Sequence, residues 1–126
     1  MNTILIIEDY EEIRTSLRDI LTIEGYKVLE ASDGAKGLAI CRDNPVDVIV
    51  TDILMPNKEG IETIFELRRD YPNIKIIAIS GGGCISSKDC LAMAKRVGAS
   101  HAFQKPLKIN EIINAVQQLC QENHCH

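Results

Sequence analysis

Five polar side chains stand at positions where predicted strands of this chain end. Glu8 and Asp9 follow a short apolar run, Asp52 and Ser80 close two later runs, and Lys105 follows the last. Parallel strands present their carboxyl ends at one edge of a sheet, so we expect these groups to meet. A single Asp there favours a helix cap, and a single Ser favours a turn. The combination of five favours a functional site.

These residue types together suit phosphoryl transfer onto an aspartate. Three carboxylates at one edge repel each other unless they take up protons or bind a cation. Mg²⁺ prefers oxygen ligands and is usually held by one or two carboxylates together with phosphate oxygens. With Mg²⁺ (or Mn²⁺), the set supplies a carboxylate nucleophile, a metal, an ammonium group and a hydroxyl, which is what such a transfer requires.

The elements that must position these residues follow from the spacing of apolar side chains. Short apolar runs predict strands over residues 3–7, 26–31, 46–51, 74–79 and 101–104. Apolar residues at helical spacing predict a helix after each strand. The five helices are marked by Ile13, Leu17, Ile20 and Leu21; Ala35, Leu38 and Ala39; Ile61, Ile64 and Phe65; Cys90, Met93, Ala94 and Val97; and Ile109, Ile112, Ile113, Val116 and Leu119. This alternation predicts an α/β three-layer sandwich, a parallel sheet covered on both faces.

Composition excludes several classes of protein. The chain has 126 residues, the length of one domain, with 45% hydrophobic and 25% charged residues. No apolar run approaches the ~20 residues of a membrane span, so no membrane association is expected. The net charge of −4 disfavours direct nucleic-acid binding. Five cysteines at unpatterned spacing indicate reduced thiols and a cytoplasmic location.

Four motifs, in this order and spacing, resemble the receiver domain of two-component response regulators. They are Ile6-Ile7-Glu8-Asp9, Asp52-Ile53-Leu54-Met55-Pro56 followed by Gly60, Ser80-Gly81 and Lys105-Pro106. The resemblance implies a flavodoxin-like (βα)5 fold whose sheet has the strand order 2-1-3-4-5. It covers nearly the whole chain, so we expect one receiver domain over residues 1–121 and a frayed tail over 122–126.

The resemblance also implies a role for each site residue. Asp52 would accept a phosphoryl group from a phosphohistidine of a sensor kinase or a histidine phosphotransfer protein. The fourth helix, fifth strand and fifth helix would then pass the signal to an output domain or protein. The implied site comprises Glu8, Asp9, Asp52 and the Leu54 carbonyl for Mg²⁺, Ser80 as the switch hydroxyl, and Lys105 as the phosphate-pairing cation, joined to Pro106 by a cis peptide bond.

Two positions depart from the pattern. Glu8 stands where the family more often has Asp, and its extra methylene shifts the carboxylate. Ala102 occupies the position, three residues before Lys105, where the family has an aromatic switch residue. Phe103 is adjacent, but period two points it to the opposite face, so we expect it in the core. His101 is a speculative substitute for the switch residue.

Three other functions compete with this interpretation, and the residues present argue against each. The chain could be an adaptor of the same fold that works without phosphorylation. A phosphatase with an Asp nucleophile would need a second Asp two residues after Asp52, where Leu54 stands. A flavin-binding relative would place the FMN phosphate against Glu8 and Asp9, which would repel it. In the leading interpretation the chain is not an enzyme in the metabolic sense, because its own Asp52 is the substrate.

Overall fold

Five parallel strands form a single sheet in the order β2-β1-β3-β4-β5. The structure, a computed structural model, describes residues 2–53, 59–80, 92, 94–96 and 98–124, without the side chains of 59–61 and 122–124. The strands are β1 Thr3–Ile7, β2 Lys27–Ala31, β3 Val48–Asp52, β4 Lys75–Ser80 and β5 His101–Gln104. The helices with assigned bounds are α1 Glu11–Ile23, α2 Gly34–Asp43, α3 Glu59–Asp70 and a C-terminal helix, Ile109–His124.

Apolar burial on both faces of the sheet explains the continuous apolar runs of the central strands. Every residue of β1 and β3 is buried. Leu5 and Ile7 point into a core beneath α2 and α3, whereas Ile4 and Ile6 point into a second core beneath α1 and the C-terminal helix. The three predicted layers are therefore confirmed, as is the strand order that the resemblance implied.

Local signals define the ends of two helices. Asp33 accepts a hydrogen bond from the amide of Lys36 at 2.8 Å and caps the start of α2. Gly25 follows α1 with a φ of +98°, a conformation that favours glycine. Gly25 therefore lies in the short connection from α1 to β2, and Asp33 lies in the short connection from β2 to α2.

The bounds of all five strands lie within two residues of the predicted ones. Strands β1 and β5 match the prediction, and β3 begins two residues later than predicted. Hydrogen bonds already link Asp47 to Thr3 and Lys75, so only the assigned start of β3 differs. The C-terminal helix runs to His124, so the predicted domain end at residue 121 lies inside it.

One predicted helix falls largely outside the described residues. Residues 92 and 94–96 are helical, and Ala94 is buried in the first core, as the spacing predicts. The rest of the predicted fourth helix, Leu54 and residues 81–91 lie outside the described part of the chain. Phe65 marked the stripe of α3, but its side chain is 59% exposed and contributes little to the core.

Two cysteines on opposite sides of the sheet are buried. Cys41 of α2 and Cys120 of the C-terminal helix belong to different cores, and neither forms a disulfide. Among the residues that the structure describes, no helix combines the length and apolarity needed to cross a bilayer.

Gly98 and Gly25 provide a matched pair of substitutions that tests the connection before β5. Both have positive φ, but only a Cβ at Gly98 would overlap a neighbour, 2.3 Å from Cγ of Arg68. The Arg68 guanidinium is anchored by the carbonyls of Pro72 and Ile74, so its stem cannot move aside freely. We expect Gly25→Ala to lower the free energy of unfolding by about 1–2 kcal/mol through backbone strain alone. Gly98→Ala should lower it by about 1–2 kcal/mol more.

Urea unfolding of the two variants and the wild type measures this difference. Equal losses of unfolding free energy for Gly25→Ala and Gly98→Ala would show that the Arg68 side chain moves aside without an energetic penalty.

Candidate functional site

The register of the sheet brings the polar strand ends together. Ile7 lies opposite Thr51, so the following residues, Glu8 and Asp52, are neighbours at the carboxyl edge. Period-two alternation puts both on the face that packs under α1 and the C-terminal helix. Lys105 follows β5, and its amide donates to the Ser80 carbonyl at 2.8 Å, which ties the ends of β4 and β5 together.

One ammonium group lies between two buried carboxylates. Nζ of Lys105 is 2.6 Å from Oε1 of Glu8 and 2.8 Å from Oδ2 of Asp52. Glu8 is 1% and Asp52 3% exposed, and the Lys105 side chain is 18% exposed. A charge taken out of water is costly unless an opposite charge compensates it. Lys105 supplies this compensation to both residues.

A third carboxylate completes a group that fits a hard divalent cation. Glu8, Asp9 and Asp52 can each present an oxygen such that the three atoms lie within 4.8 Å of one another. Oε2 of Glu8 is buried and has no hydrogen-bond partner among the described residues. An orphaned carboxylate oxygen beside two others matches the all-oxygen coordination that Mg²⁺ prefers. The donor set therefore fits this metal.

Burial and neighbouring charge raise the pKa of Glu8 from 4.5 to about 8. Desolvation is the largest cause, the neighbouring carboxylate of Asp52 adds to it, and Lys105 opposes both. For Lys105, burial alone would lower the pKa, but its contacts with Asp52 and Glu8 outweigh burial and raise the pKa. Among the residues that the structure describes at this edge, the carboxylates therefore carry more negative charge than Lys105 balances.

The main chain of Glu8 is held on both sides. Its amide donates to the Ala31 carbonyl at 3.0 Å, which extends the pairing of β1 with β2 by one bond. Its carbonyl accepts a hydrogen bond of 2.9 Å from Nη1 of Arg14, in α1. The sequence reasoning missed Arg14, because a cation on a surface helix next to an apolar stripe gives no sign of this main-chain contact.

The structure gathers four of the predicted site residues, Glu8, Asp9, Asp52 and Lys105, at one edge. Ser80 is fully buried at the end of β4, and its main-chain carbonyl accepts the hydrogen bond from the Lys105 amide. The peptide bond between Lys105 and Pro106 is cis, in agreement with the resemblance. Leu54, predicted to offer a carbonyl to the metal, lies outside the described residues.

The predicted switch position carries no aromatic ring. Ala102 is half-buried against the first core, and Phe103 packs against the second, so the two face opposite sides as predicted. Phe103 is only half-buried. The ring of His101 stacks on it at a centroid distance of 6.1 Å. His101 therefore lies on the face of Phe103 and not on the face of Ala102.

The raised pKa of Glu8 predicts how stability depends on pH without metal. The folded state binds this proton more tightly than the unfolded state, so the contribution is full below pH 4.5 and is lost as the pH rises through about 8. We expect the free energy of unfolding in EDTA, taken as wild type minus Glu8→Gln, to fall across this range. Urea titrations at several pH values provide the measurement.

The control is Glu11→Gln, which removes an exposed carboxylate from the start of α1. The free energy of unfolding, taken as wild type minus Glu11→Gln, should not show the fall expected between pH 4.5 and about 8 for Glu8→Gln. A wild-type minus Glu8→Gln difference that stays constant or increases with pH would contradict the assignment.

Comparisons with known proteins agree with this geometry. Residues 4–117 match the family model described as the response regulator receiver domain. The chain is 31% identical over 124 residues to the transcriptional regulatory protein CpxR of Klebsiella pneumoniae subsp. pneumoniae, strain HS11286, covering 98% of this chain and 51% of CpxR. It is 31% identical over 115 residues to the sporulation initiation phosphotransferase F of Bacillus subtilis, strain 168, covering 91% of this chain and 90% of that protein.

The fold likeness extends over the whole chain. A crystal structure of a response regulator receiver domain protein from Clostridium thermocellum superposes with a TM-score of 0.89 at 28% identity, covering 98% of both chains. The chain spans about half the length of the CpxR proteins that it matches. The family match covers most of the sequence and agrees with the sheet order and the acidic edge. The chain therefore belongs to the response regulator receiver domain family.

Proposed function

We propose that Asp52 accepts a phosphoryl group from a phosphohistidine of a sensor kinase or a histidine phosphotransfer protein. The observation that carries this proposal is the position of Asp52 in the middle of the polar edge. Its carboxylate contacts Nζ of Lys105 at 2.8 Å. One of its oxygens also lies within 4.8 Å of a carboxylate oxygen of Glu8 and of Asp9. Family membership supports the same conclusion.

Asp52 is a better acceptor than either neighbouring carboxylate. It ends β3, which lies between β1, followed by the acidic pair Glu8 and Asp9, and β4, which ends in Ser80. Asp52 therefore lies between the strand followed by Glu8 and Asp9 and the strand that ends in Ser80, and it shares the Lys105 ammonium group with Glu8. A phosphoryl group there would find a cation site and two donors at once.

Glu8, Asp9 and Asp52 would hold Mg²⁺, or Mn²⁺ in its place, and we propose that the Leu54 carbonyl joins them. When bound, the ion supplies positive charge to the transferred phosphoryl oxygens and to the carboxylates that surround them. The buried Oε2 of Glu8 supports this assignment.

The transfer itself needs little chemistry from the protein. The phosphorus–nitrogen bond of the donor breaks, and a carboxylate oxygen of Asp52 forms the new bond to phosphorus. The departing imidazole recovers the bonding electron pair and takes up a proton. Because Asp52 is consumed as acceptor, the chain catalyses its own modification and is not an enzyme in the metabolic sense. Lys105 would pair with the new phosphoryl oxygens.

The modification would act as a switch. It replaces a carboxylate near −1 by a group near −2 with three acceptor oxygens. Ser80 would turn its hydroxyl to one of them, and the Lys105–Ser80 main-chain bond would pass the shift to β5. We propose that the predicted fourth helix, β5 and the C-terminal helix present the altered surface to an output domain or protein.

A cytoplasmic location suits this role. Kinase-linked signalling through a labile acyl phosphate requires a phosphoryl donor, and the unpaired thiols Cys41 and Cys120 fit a reducing compartment. We propose no direct contact with nucleic acid or membrane. The alternative, an adaptor that works without phosphorylation, is not favoured, because it offers no reason to bury two carboxylates around one lysine.

Phosphoryl incorporation tests the acceptor. Wild-type protein incubated with acetyl phosphate and Mg²⁺ should gain one phosphoryl group per chain, in a form that hydroxylamine removes. Asp52→Asn should gain none, because the amide nitrogen and carbonyl oxygen are poor nucleophiles. Intact-mass measurement provides the readout, and EDTA should abolish the gain.

The matched control is Asp43→Asn, an exposed aspartate at the end of α2. It should be labelled like the wild type. Labelling that survives Asp52→Asn would refute the acceptor, and no labelling of any variant would favour the adaptor.

Ser80→Ala separates the transfer from the response. The variant should be labelled within about threefold of the wild type, because the hydroxyl does not take part in bond making. The phosphorylation-dependent change in amide hydrogen exchange of β5 should be largely lost, because one donor to the new oxygens is missing.

Ser100→Ala, an exposed residue directly before β5, is the control and should respond like the wild type. If phosphorylated Ser80→Ala changes β5 as much as the wild type does, Ser80 has no part in the switch.

A further inference from the structure

Arg14 contacts the main chain of the acidic site, and among the described contacts it touches neither the Glu8 nor the Asp9 carboxylate. Its Nη1 atom donates to the Glu8 carbonyl at 2.9 Å, although Glu8 is six residues earlier, in the connection between β1 and α1. On the other side, the Glu8 amide donates to the Ala31 carbonyl. The two bonds fix the main chain of Glu8 from opposite directions.

The carbonyl that Arg14 holds belongs to the peptide unit joining Glu8 to Asp9. Because a peptide unit is planar, fixing its carbonyl direction fixes the plane between the two α carbons. The Asp9 N–Cα bond then has a fixed direction, and the Asp9 side chain turns only about φ of Asp9 and its own χ angles. This constraint matters most for Asp9, which is exposed, whereas Glu8 is also held by packing and by Lys105.

Arg14 is itself anchored. Its Nε lies 3.4 Å from Oε1 of Glu30, on the neighbouring strand β2, and its side chain is only 19% exposed. Arg18, one turn later on α1, also contacts Glu30, at 3.3 Å, but makes no contact with Glu8 among those that the structure describes. A planar guanidinium can serve a carboxylate and a carbonyl at the same time, whereas an ammonium group is a single point charge.

We infer that Arg14 is a positioning residue for the divalent-cation site: it sets the peptide plane from which Glu8 and Asp9 present their oxygens. The inference rests on the proposed function for the identity of the cation. It assigns Arg14 no contact with the metal or with phosphate, and it concerns affinity for the ion before any phosphoryl donor binds.

Charge and positioning predict opposite changes in Mg²⁺ affinity when Arg14 is replaced. A cation near a cation site repels the ion, so removing the charge of Arg14 should strengthen Mg²⁺ binding if charge were its only effect. A positioning role predicts the opposite. Groups that orient metal ligands typically change affinity by 10–100-fold, and we expect a loss of about tenfold for Arg14→Gln.

Arg14→Lys isolates geometry from charge. The formal charge and the aliphatic stem remain, so the long-range field at the site is nearly unchanged. Arg14 reaches its two partners with two different nitrogens, Nη1 and Nε, whereas a lysine has a single nitrogen to place between the Glu8 carbonyl and Glu30. We therefore expect Mg²⁺ binding about threefold weaker than in the wild type. Arg18→Gln is the matched control: it removes one charge from the same helix and the same partner, Glu30, and should leave Mg²⁺ affinity unchanged or slightly higher.

The experiment is calorimetric titration of the unphosphorylated wild type, Arg14→Gln, Arg14→Lys, Arg18→Gln and Asp9→Asn with Mg²⁺ at fixed ionic strength. Urea unfolding in EDTA reports the stability of each variant. Weaker binding by both Arg14 variants but not by Arg18→Gln supports the inference. The phosphorylation rate at saturating Mg²⁺ should then recover, because only the assembly of the ion site is impaired.

Other outcomes overturn the inference in distinguishable ways. Mg²⁺ affinity that is unchanged or tighter in both Arg14 variants, while Asp9→Asn weakens binding, would refute the role of Arg14 and leave the proposed function intact. Equal loss in Arg18→Gln would assign the effect to the general packing of α1 on β2. A wild type that binds no Mg²⁺ would remove the proposed function and this inference together.

Discussion

The structure depends on one ammonium group that compensates two buried carboxylates. Lys105 reaches Glu8 and Asp52 over 2.6 and 2.8 Å, while both carboxylates have lost nearly all contact with solvent. An uncompensated buried charge is strongly destabilising. One lysine for two carboxylates leaves the compensation incomplete: burial and the neighbouring Asp52 raise the pKa of Glu8 more than Lys105 lowers it. A proton or a second cation would complete the compensation, and in the proposed function this second cation is the divalent ion.

Burial of the apolar sheet offsets the cost of the incompletely compensated carboxylates. The charges begin one residue beyond the last apolar position of β1, because Ile7 is fully buried and Glu8 follows it directly. Burying a Val, Leu or Ile side chain contributes about 1.5–3 kcal/mol, and strands β1, β3 and β4 are almost entirely buried. A few such contacts offset the cost of one incompletely compensated carboxylate. Parallel topology then places all the costly groups at the same edge, where one cation serves several of them.

The sequence could predict what depends on periodicity and could not predict what depends on side-chain reach. Runs such as residues 3–7 specify a two-sided strand, and alternation alone separates Ala102 from Phe103. The contact of Arg14 with the Glu8 carbonyl depends on the rotamer of a long side chain, and no spacing rule encodes it. Periodicity can also mislead: Phe65 lies at helical spacing with other apolar residues, yet its side chain is exposed and does not face the core. The acidic edge was predictable because strand ends fix the α carbons, whereas its fine geometry depends on neighbours from other elements.

The distribution of charge around Asp52 gives the proposed switch a direction. A phosphoryl group on Asp52 would add acceptor oxygens to an edge whose β1 side already carries Glu8 and Asp9. Those oxygens would be repelled by the acidic pair unless a cation covers it, so new hydrogen bonds have to come from donors. The proposed donors are Ser80 and Lys105, whose ammonium group already lies between Glu8 and Asp52. The main chains of Ser80 and Lys105 are joined by the 2.8 Å bond between the ends of β4 and β5. β5 is an edge strand of the sheet and has a neighbour on one side only, so it can shift at lower cost than the enclosed β3. The main-chain link between the two proposed donors, Ser80 and Lys105, would therefore direct the proposed response toward the β5 edge.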